Sequence, residues 1–468
     1  MRPTVVLNVV GLTRSLLGRD TPHLNALVAD GVCAPLRAIT PAVTCSAQAT
    51  ILTGTLPRDH GVVGNGWYFR DLAQVMFWRQ SNQLVRGDKV WETARRRDPS
   101  CTCAKMFWWF NMYSTAEWAV TPRPIYPADG RKIVDIYSQP ADLRARLVAE
   151  LGAFPFFNFW GPQADIRSSQ WIADASICVD RWHSPTLMLV YLPHLDYNLQ
   201  RFGTSDPRIS GDLRAIDETC GHLIAHYRGR GRRIIVLSEY GLVNVTGPVH
   251  INRALRESGL LAVRDELDTD ALDPGASDAF AVSDHQVAHV YIREPARIGA
   301  VKALLERLPG VEQVLDRREQ AAIGLDHERS GELVAIAAAN RWFTYYYWMD
   351  DTRAPDYART VDIHRKPGYD PAELFVDPTL TLPRLRIAAT LAKKALGFRY
   401  LMNVIPLDAS MVRGSHGRVT DQLDDGPVFI SSEKHDLGDV VESTDVRDEI
   451  LAHLLASDLR ARNNALHQ

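Results

Sequence analysis

Apolar positions along the chain fall into two rhythms. Three short continuous runs, residues 5–10, 186–192 and 234–237, are rich in Val, Ile and Leu, and each stops at a polar or Gly-containing turn. Unbroken runs of this kind suit strands buried on both faces, as in a parallel sheet covered by helices. Between them, residues 21–30, 143–151 and 211–227 repeat their apolar positions at helical spacing. That alternation predicts an α/β fold. Open α/β sheets gather their functional groups beyond the carboxyl ends of strands. Gly11 and its neighbours, residues 194–200 and residues 238–241 are therefore the places to look.

The pattern changes over residues 249–330. Short strand patterns at 279–282 and 287–292 sit beside a helix-like stretch at 298–308. A smaller inserted α+β lobe is expected there, which assigns 1–248 and 331–468 to the main core. The aromatic run WFTYYYW at 342–348 alternates between two faces. Core packing is its default; a face turned to a pocket would stack a ring, a base or a prenyl chain. Residues 350–383 are polar and Pro-rich but also hold Tyr and His. They are expected to form an ordered excursion over the site.

Charge narrows the partners. Fifty-three Lys+Arg against 56 Asp+Glu leave a formal net charge of -3 on 468 residues, so nothing global draws the chain to a nucleic acid polymer or an anionic membrane. The N-terminal apolar run is β-branched and leads straight into Gly11, as a strand does and a signal peptide does not. No apolar stretch approaches the roughly 20 residues of a membrane span. Six Cys are scattered, and the close pair Cys101 and Cys103 lacks a second pair at zinc-ribbon spacing. Reduced thiols and a cytoplasmic location are the expectation.

Four segments carry chemistry. The first is TPHLNALVADGVCAPLRAITPAVTCSAQATILTGTLPRDHGVVGNGWY, residues 21–68. Thr44 follows Pro41-Ala42-Val43; at a helix start its hydroxyl would lie where the dipole and free N–H groups favour a phosphate, and capping alone also explains a Thr there. Asn65, between Gly64 and Gly66, is either an amide donor to developing charge or a turn residue. The other segments are LMLVYLPHLDYNLQRFG (187–203), IIVLSEYGL (234–242) and GSHGRVTDQLDDGPVFIS (414–431).

In this order the four segments resemble the type I phosphodiesterase and nucleotide pyrophosphatase branch of the alkaline phosphatase superfamily. The resemblance implies a sandwich with a mostly parallel central sheet flanked by helices. It implies Thr44 as nucleophile, Asn65 as donor to a phosphate oxygen, and Asp196 and His416 as ligands of one metal. It also exposes departures. Gln200 stands where the family has a His ligand, Glu239 and Tyr240 where it has Asp-His, and Val10 where its first strand ends in Asp. Asn8 lies on the same strand face, two residues back.

The family's two-zinc mechanism therefore does not carry over intact. Glu239 keeps an oxygen donor, and Gln200 and Tyr240 remain candidates for contacting substrate. Asp362 and His364, two apart in an extended chain, are candidates to fill a vacancy, as are Asp284, His285, His289 and His194; each also reads as an ordinary loop-anchoring residue. A ring of Asp196, Glu239, His364 and His416 would suit one divalent metal such as Zn, Mn or Fe. Three functions stay open. One is a metal-dependent hydrolase of a phosphodiester, pyrophosphate or related ester on a small phosphorylated metabolite. The second is a repurposed enzyme with a non-standard metal site, and the third a non-catalytic pseudoenzyme.

Overall fold

The computed structural model describes residues 1–396, 398 and 401–455. Nine strands form the main sheet: β1 (Thr4–Val9), β2 (Val32–Arg37), β3 (Cys103–Met106), β4 (Trp118–Pro122), β5 (Ile136–Gln139), β6 (Leu187–Leu192), β7 (Arg233–Leu237), β8 (Val428–Ser431) and β9 (Val441–Glu442). Their spatial order is β9-β2-β8-β7-β1-β6-β3-β4-β5. The three apolar runs of the sequence are the three central strands, with Leu7 of β1 level with Val190 of β6 and Val236 of β7. All three are parallel and buried along their whole length. Only β5 and β8 run against their neighbours.

Helices cover both faces, including Pro22–Asp30, Asp142–Leu151, Ile166–His183 and Ile209–Gly229. The last has a reason to pack where it does: its buried Asp217 carboxylate caps the start of Pro22–Asp30, accepting from His23 N at 3.0 Å and Leu24 N at 2.9 Å. These are orphan helix-start donors that would otherwise be lost to solvent or left unpaired.

A second, four-stranded antiparallel sheet has the order Ala279–Asp284, Val287–Ile292, Leu333–Ala337, Val311–Leu315. It extends past residue 330, since the strand Leu333–Ala337 belongs to it by pairing. Its hydrophobic core takes in the aromatic run, with Trp342, Phe343, Tyr345, Tyr346, Tyr347 and Trp348 all buried. None of them reaches the pocket described below. No described helix is long and apolar enough to cross a membrane. All six cysteines are free thiols.

Candidate functional site

A narrow pocket opens beyond the carboxyl ends of β1, β6 and β7. The helix Thr44–Thr53 starts at it, and the helix His194–Phe202 begins two residues after β6 ends. Thr44, Asn65, Asp196, Gln200, Tyr240, His285 and His416 line it together with a wall of Trp78, Trp109, Phe159, Trp160, Tyr191 and Tyr197. The passage at 350–383 supplies Ile363 and Tyr369 to the same wall. It is fixed in place by a buried ion pair between Lys366 and Glu373, whose carboxylate also accepts from Trp160 Nε1 at 3.1 Å.

Thr44 is buried, its hydroxyl 3.4 Å from the Tyr240 hydroxyl. Tyr240 in turn donates to Asp196 Oδ1 at 3.2 Å. The phenol thus bridges the Thr and the Asp. Its ring lies flat on His416, with centroids 3.7 Å apart and planes 3° apart, and His285 packs on the other side at 3.9 Å. His416 Nδ1 donates to the Ala42 carbonyl at 2.9 Å, which leaves Nε2 as the lone-pair nitrogen, 3.9 Å from Asp196 Oδ1. Burial lowers the His416 pKa to about 3, so the ring is neutral.

Glu239 is held from one side only. Asn8 Nδ2 and Gln48 Nε2 both donate to its Oε1, each at 2.6 Å, while Oε2 is buried with no partner. Gln48 is oriented by the Trp109 backbone N–H, which donates to its Oε1 at 2.8 Å and so turns the amide nitrogen toward Glu239. Burial raises the Glu239 pKa to about 8, against the pull of Gln48, Asn8 and the nearby Thr44 hydroxyl. Asp196 is raised to about 7 for the same reason, opposed by Gln200 and Tyr240. Glu239 thus meets the Thr hydroxyl directly and Asp196 reaches it through the Tyr240 phenol, with both carboxyls poised within reach of neutral pH.

Asn65 is fully engaged. Its Oδ1 accepts from Cys45 N at 2.9 Å, bracing the helix start beside Thr44; its Nδ2 donates to Asp284 Oδ1 at 3.1 Å and to the Tyr369 hydroxyl at 3.0 Å. The glycines around it allow a close approach: a Cβ at Gly66 would stand 2.4 Å from the Phe77 ring. As placed, Asn65 is a brace, and its amide reaches a substrate oxygen only by exchanging a partner.

The ring of Asp196, Glu239, His364 and His416 does not form. Asp362 pairs instead with Lys132 Nζ at 3.0 Å and accepts from the Tyr126 hydroxyl at 2.8 Å, and His364 lies half-buried beside Trp109, their ring centroids 6.4 Å apart. Glu239 is drawn toward the Asn8 and Gln48 amides. Among the described residues no three His, Cys, Asp or Glu side chains converge as a metal site. Of the remaining candidates, His289 contacts the Val63 carbonyl at 2.9 Å and His194 lies 3.2 Å from Asp212, both structural pairings. Asp284 and His285 do reach the site, but as supports of Asn65 and Tyr369. Sequence reasoning passed over Tyr369, Gln48 and the aromatic wall. Tyr369, Trp78, Trp109, Phe159 and Trp160 come from segments outside the motifs, while Gln48, Tyr191 and Tyr197 lie within them but carry no local pattern that marks their role.

The two metal positions of the resembled family fare differently. On the nucleophile side, Val10 is buried and apolar, Tyr240 presents a phenol stacked on His416, and Glu239 is tied to two amides; these do not fit a metal. On the other side stand the Asp196 carboxylate, the His416 Nε2 lone pair and Gln200, whose Oε1 is buried without a partner while its Nε2 donates to Asp196. A carboxylate oxygen, an imidazole nitrogen and an unsatisfied amide oxygen fit one divalent ion.

Three comparisons bear on the whole. A family described as type I phosphodiesterase / nucleotide pyrophosphatase matches residues 4–370. No curated protein matches the chain by sequence. Among solved structures, murine ectonucleotide pyrophosphatase / phosphodiesterase 5 superposes with a TM-score of 0.59 at 13% identity, covering 98% of this chain and 96% of its own. Phosphonoacetate hydrolase from Sinorhizobium meliloti 1021, in complex with phosphonoacetate, does so with 0.62 at 15% identity, covering 97% and 96%. At such identities the likeness establishes the alkaline-phosphatase-like fold.

Proposed function

The chain belongs to the type I phosphodiesterase / nucleotide pyrophosphatase family, and from that premise we propose that it hydrolyses a small phosphodiester, pyrophosphate or related ester with Thr44 as nucleophile and Glu239 as its base. The observation that carries the reading is the buried Glu239 carboxyl, with one oxygen doubly held by Asn8 and Gln48 and the group as a whole next to the Thr44 hydroxyl. A nucleophile paired with a base, and the base oriented by a further group, is the recurrent arrangement of covalent catalysis.

Ionised Glu239 takes the proton from Thr44 Oγ1 as that oxygen bonds to phosphorus. The leaving oxygen departs toward Asp196 and Gln200, and water then releases the Thr44 ester. A substrate oxygen reaches the Asn65 amide by displacing the Tyr369 hydroxyl, and Tyr240 donates to a second oxygen. A divalent metal accompanies this family's chemistry; on this chain Asp196, Gln200 and His416 would hold one ion, Zn, Mn or Fe, supplying Lewis-acid charge neutralisation at the leaving oxygen. The aromatic wall receives the flat or apolar remainder of the ester.

An aryl phosphodiester is the informative probe, because an aryl oxide leaves without a proton and the assay then reports on the nucleophile side alone. Loss of turnover in both Thr44→Ala and Glu239→Gln, with the circular dichroism spectrum unchanged, supports the reading. Turnover undiminished in Thr44→Ala removes the proposed nucleophile.

The rebuilt nucleophile side favours a second reading, a changed reaction on a small metabolite. Restoring Val10→Asp, Gln200→His, Glu239→Asp and Tyr240→His together decides between them. Two bound zinc ions and aryl phosphodiester turnover far above the parent's indicate a decayed phosphodiesterase; loss of the native activity without that gain indicates rebuilding.

A further inference from the structure

Residues 382–401 stand apart from the rest of the surface. Six large apolar side chains are exposed there, Leu382, Leu385, Leu391, Leu396, Phe398 and Leu401, each with 44% to 74% of its area open. Surface apolar residues are ordinarily scattered singly, and a cluster of this kind marks an interaction face. The helix Pro383–Ala395 carries most of it. At about 100° per residue, Leu385, Ala389, Ala392 and, just beyond the helix, Leu396 fall on one stripe, with Ala388 widening it and Leu391 standing outside it. Arg386 and Lys393 border the stripe at about 80° to 100° from Leu385, with Thr390 beyond them.

Charge identifies what covers this stripe. Residues 382–401 contain Arg384, Arg386, Lys393, Lys394 and Arg399 and no Asp or Glu, within a chain whose net charge is -3. The five cations of the segment are therefore local, and Arg386 donates to the neutral Asn403. A leucine-rich stripe bordered by cations, with no acidic residue between them, matches the interface of an anionic bilayer: the apolar side chains enter the acyl boundary while Lys and Arg stay among the headgroups.

We propose that the helix Pro383–Ala395, with Leu396, Phe398 and Leu401 after it, seats the protein on anionic lipid. It is a surface attachment and not a span, and it is independent of the chemistry assigned to Thr44.

The test is co-sedimentation of the full chain with phosphatidylcholine vesicles with and without phosphatidylglycerol. The protein pellets with the anionic vesicles only, and less as salt is raised, because the attraction to surface charge is screened. Leu385→Asp with Leu396→Asp abolishes pelleting. Arg386→Gln or Lys393→Gln weakens it about fivefold each. All of these positions are exposed, so the melting temperature of each variant matches the parent's. No pelleting with anionic vesicles, equal pelleting with neutral ones, or pelleting that survives the double Leu→Asp change overturns the proposal. So does a dimer in light scattering that the same double change dissolves while vesicles fail to bind, which would make the stripe a contact between two copies.

Discussion

The two sides of the pocket have diverged to different degrees. Around Asp196 and His416 the kinds of donor that hold a divalent ion persist, and Gln200 contributes an amide oxygen that finds no partner among the described residues. Around Glu239 that character is gone: an apolar Val10, two amides on one carboxylate oxygen, and a phenol spanning from Thr44 to Asp196. A carboxyl with one free oxygen can accept a proton from a hydroxyl, as a metal can polarise one, but at a different dependence on pH. The contrast shows how one half of a two-centre site can be exchanged for side-chain acid–base chemistry while the other half is kept.

The most severe break in this contrast is Thr44→Ala, which should remove aryl phosphodiester turnover by orders of magnitude while costing only about 1 kcal/mol of stability through the lost contact with the Tyr240 hydroxyl, since Val43 and not Thr44 is the cap of the helix. Steady-state rates alongside thermal melts check both halves of the statement. Next, Glu239→Gln should lower kcat/KM by about 10²- to 10⁴-fold, the usual range for a general base. The parent's kcat/KM should rise with pH through about 8, where Glu239 ionises, and that limb should be missing from the variant's residual rate.

The metal side responds more gently. Elemental analysis should find at most one tightly held ion per chain, lost in His416→Ala, and Gln200→His should tighten it. Two ions per chain in the unaltered protein would erase the distinction between the sides.

The smallest effect is on stability. Burial raises Glu239 to about 8 and both Asp196 and Asp370 to about 7. In the unfolded chain such groups ionise near pH 4, so the stabilisation they give is present below that value and is withdrawn as pH rises through the folded values. Metal-free protein should therefore melt at progressively lower temperature up to about pH 8 and level off above it, and the part of the fall between about pH 7 and about pH 8 lies where unfolded histidines are already largely neutral. Glu239→Gln should flatten the upper part of that fall, and a slope unchanged in the variant would place the Glu239 ionisation elsewhere.

Much of the architecture was legible because buried parallel strands leave continuous apolar runs. Residues 5–10, 186–192 and 234–237 became β1, β6 and β7 within a residue or two at each end. Thr44, Asp196, Glu239 and His416 were findable because each follows such a run or sits in a spaced motif. Distance defeated the rest. Tyr369 reaches Asn65 across 304 positions of chain, and Gln48 meets Glu239 across 191, through contacts that no window of sequence contains. Asp362 and His364 had the right chemistry for a metal, but Lys132 and Tyr126 supply Asp362 with nearer partners. The aromatic run at 342–348 was a core element because the second sheet needed a filling, while the pocket drew its rings from other segments.

The sheet order sets a timetable for synthesis. Strand β2 is complete at residue 37, yet its hydrogen-bonded neighbours are β8 and β9, near residues 430 and 441. During translation β2 waits for nearly the whole polypeptide to be made before it can pair, and β7 likewise keeps one edge open until β8 emerges. Loop closure over that many residues is slow, and unpaired edges invite association with other chains. The nascent protein thus passes most of its time on the ribosome with the sheet split, and a chain that stops short of residue 428 lacks the strand that joins β2 to β7.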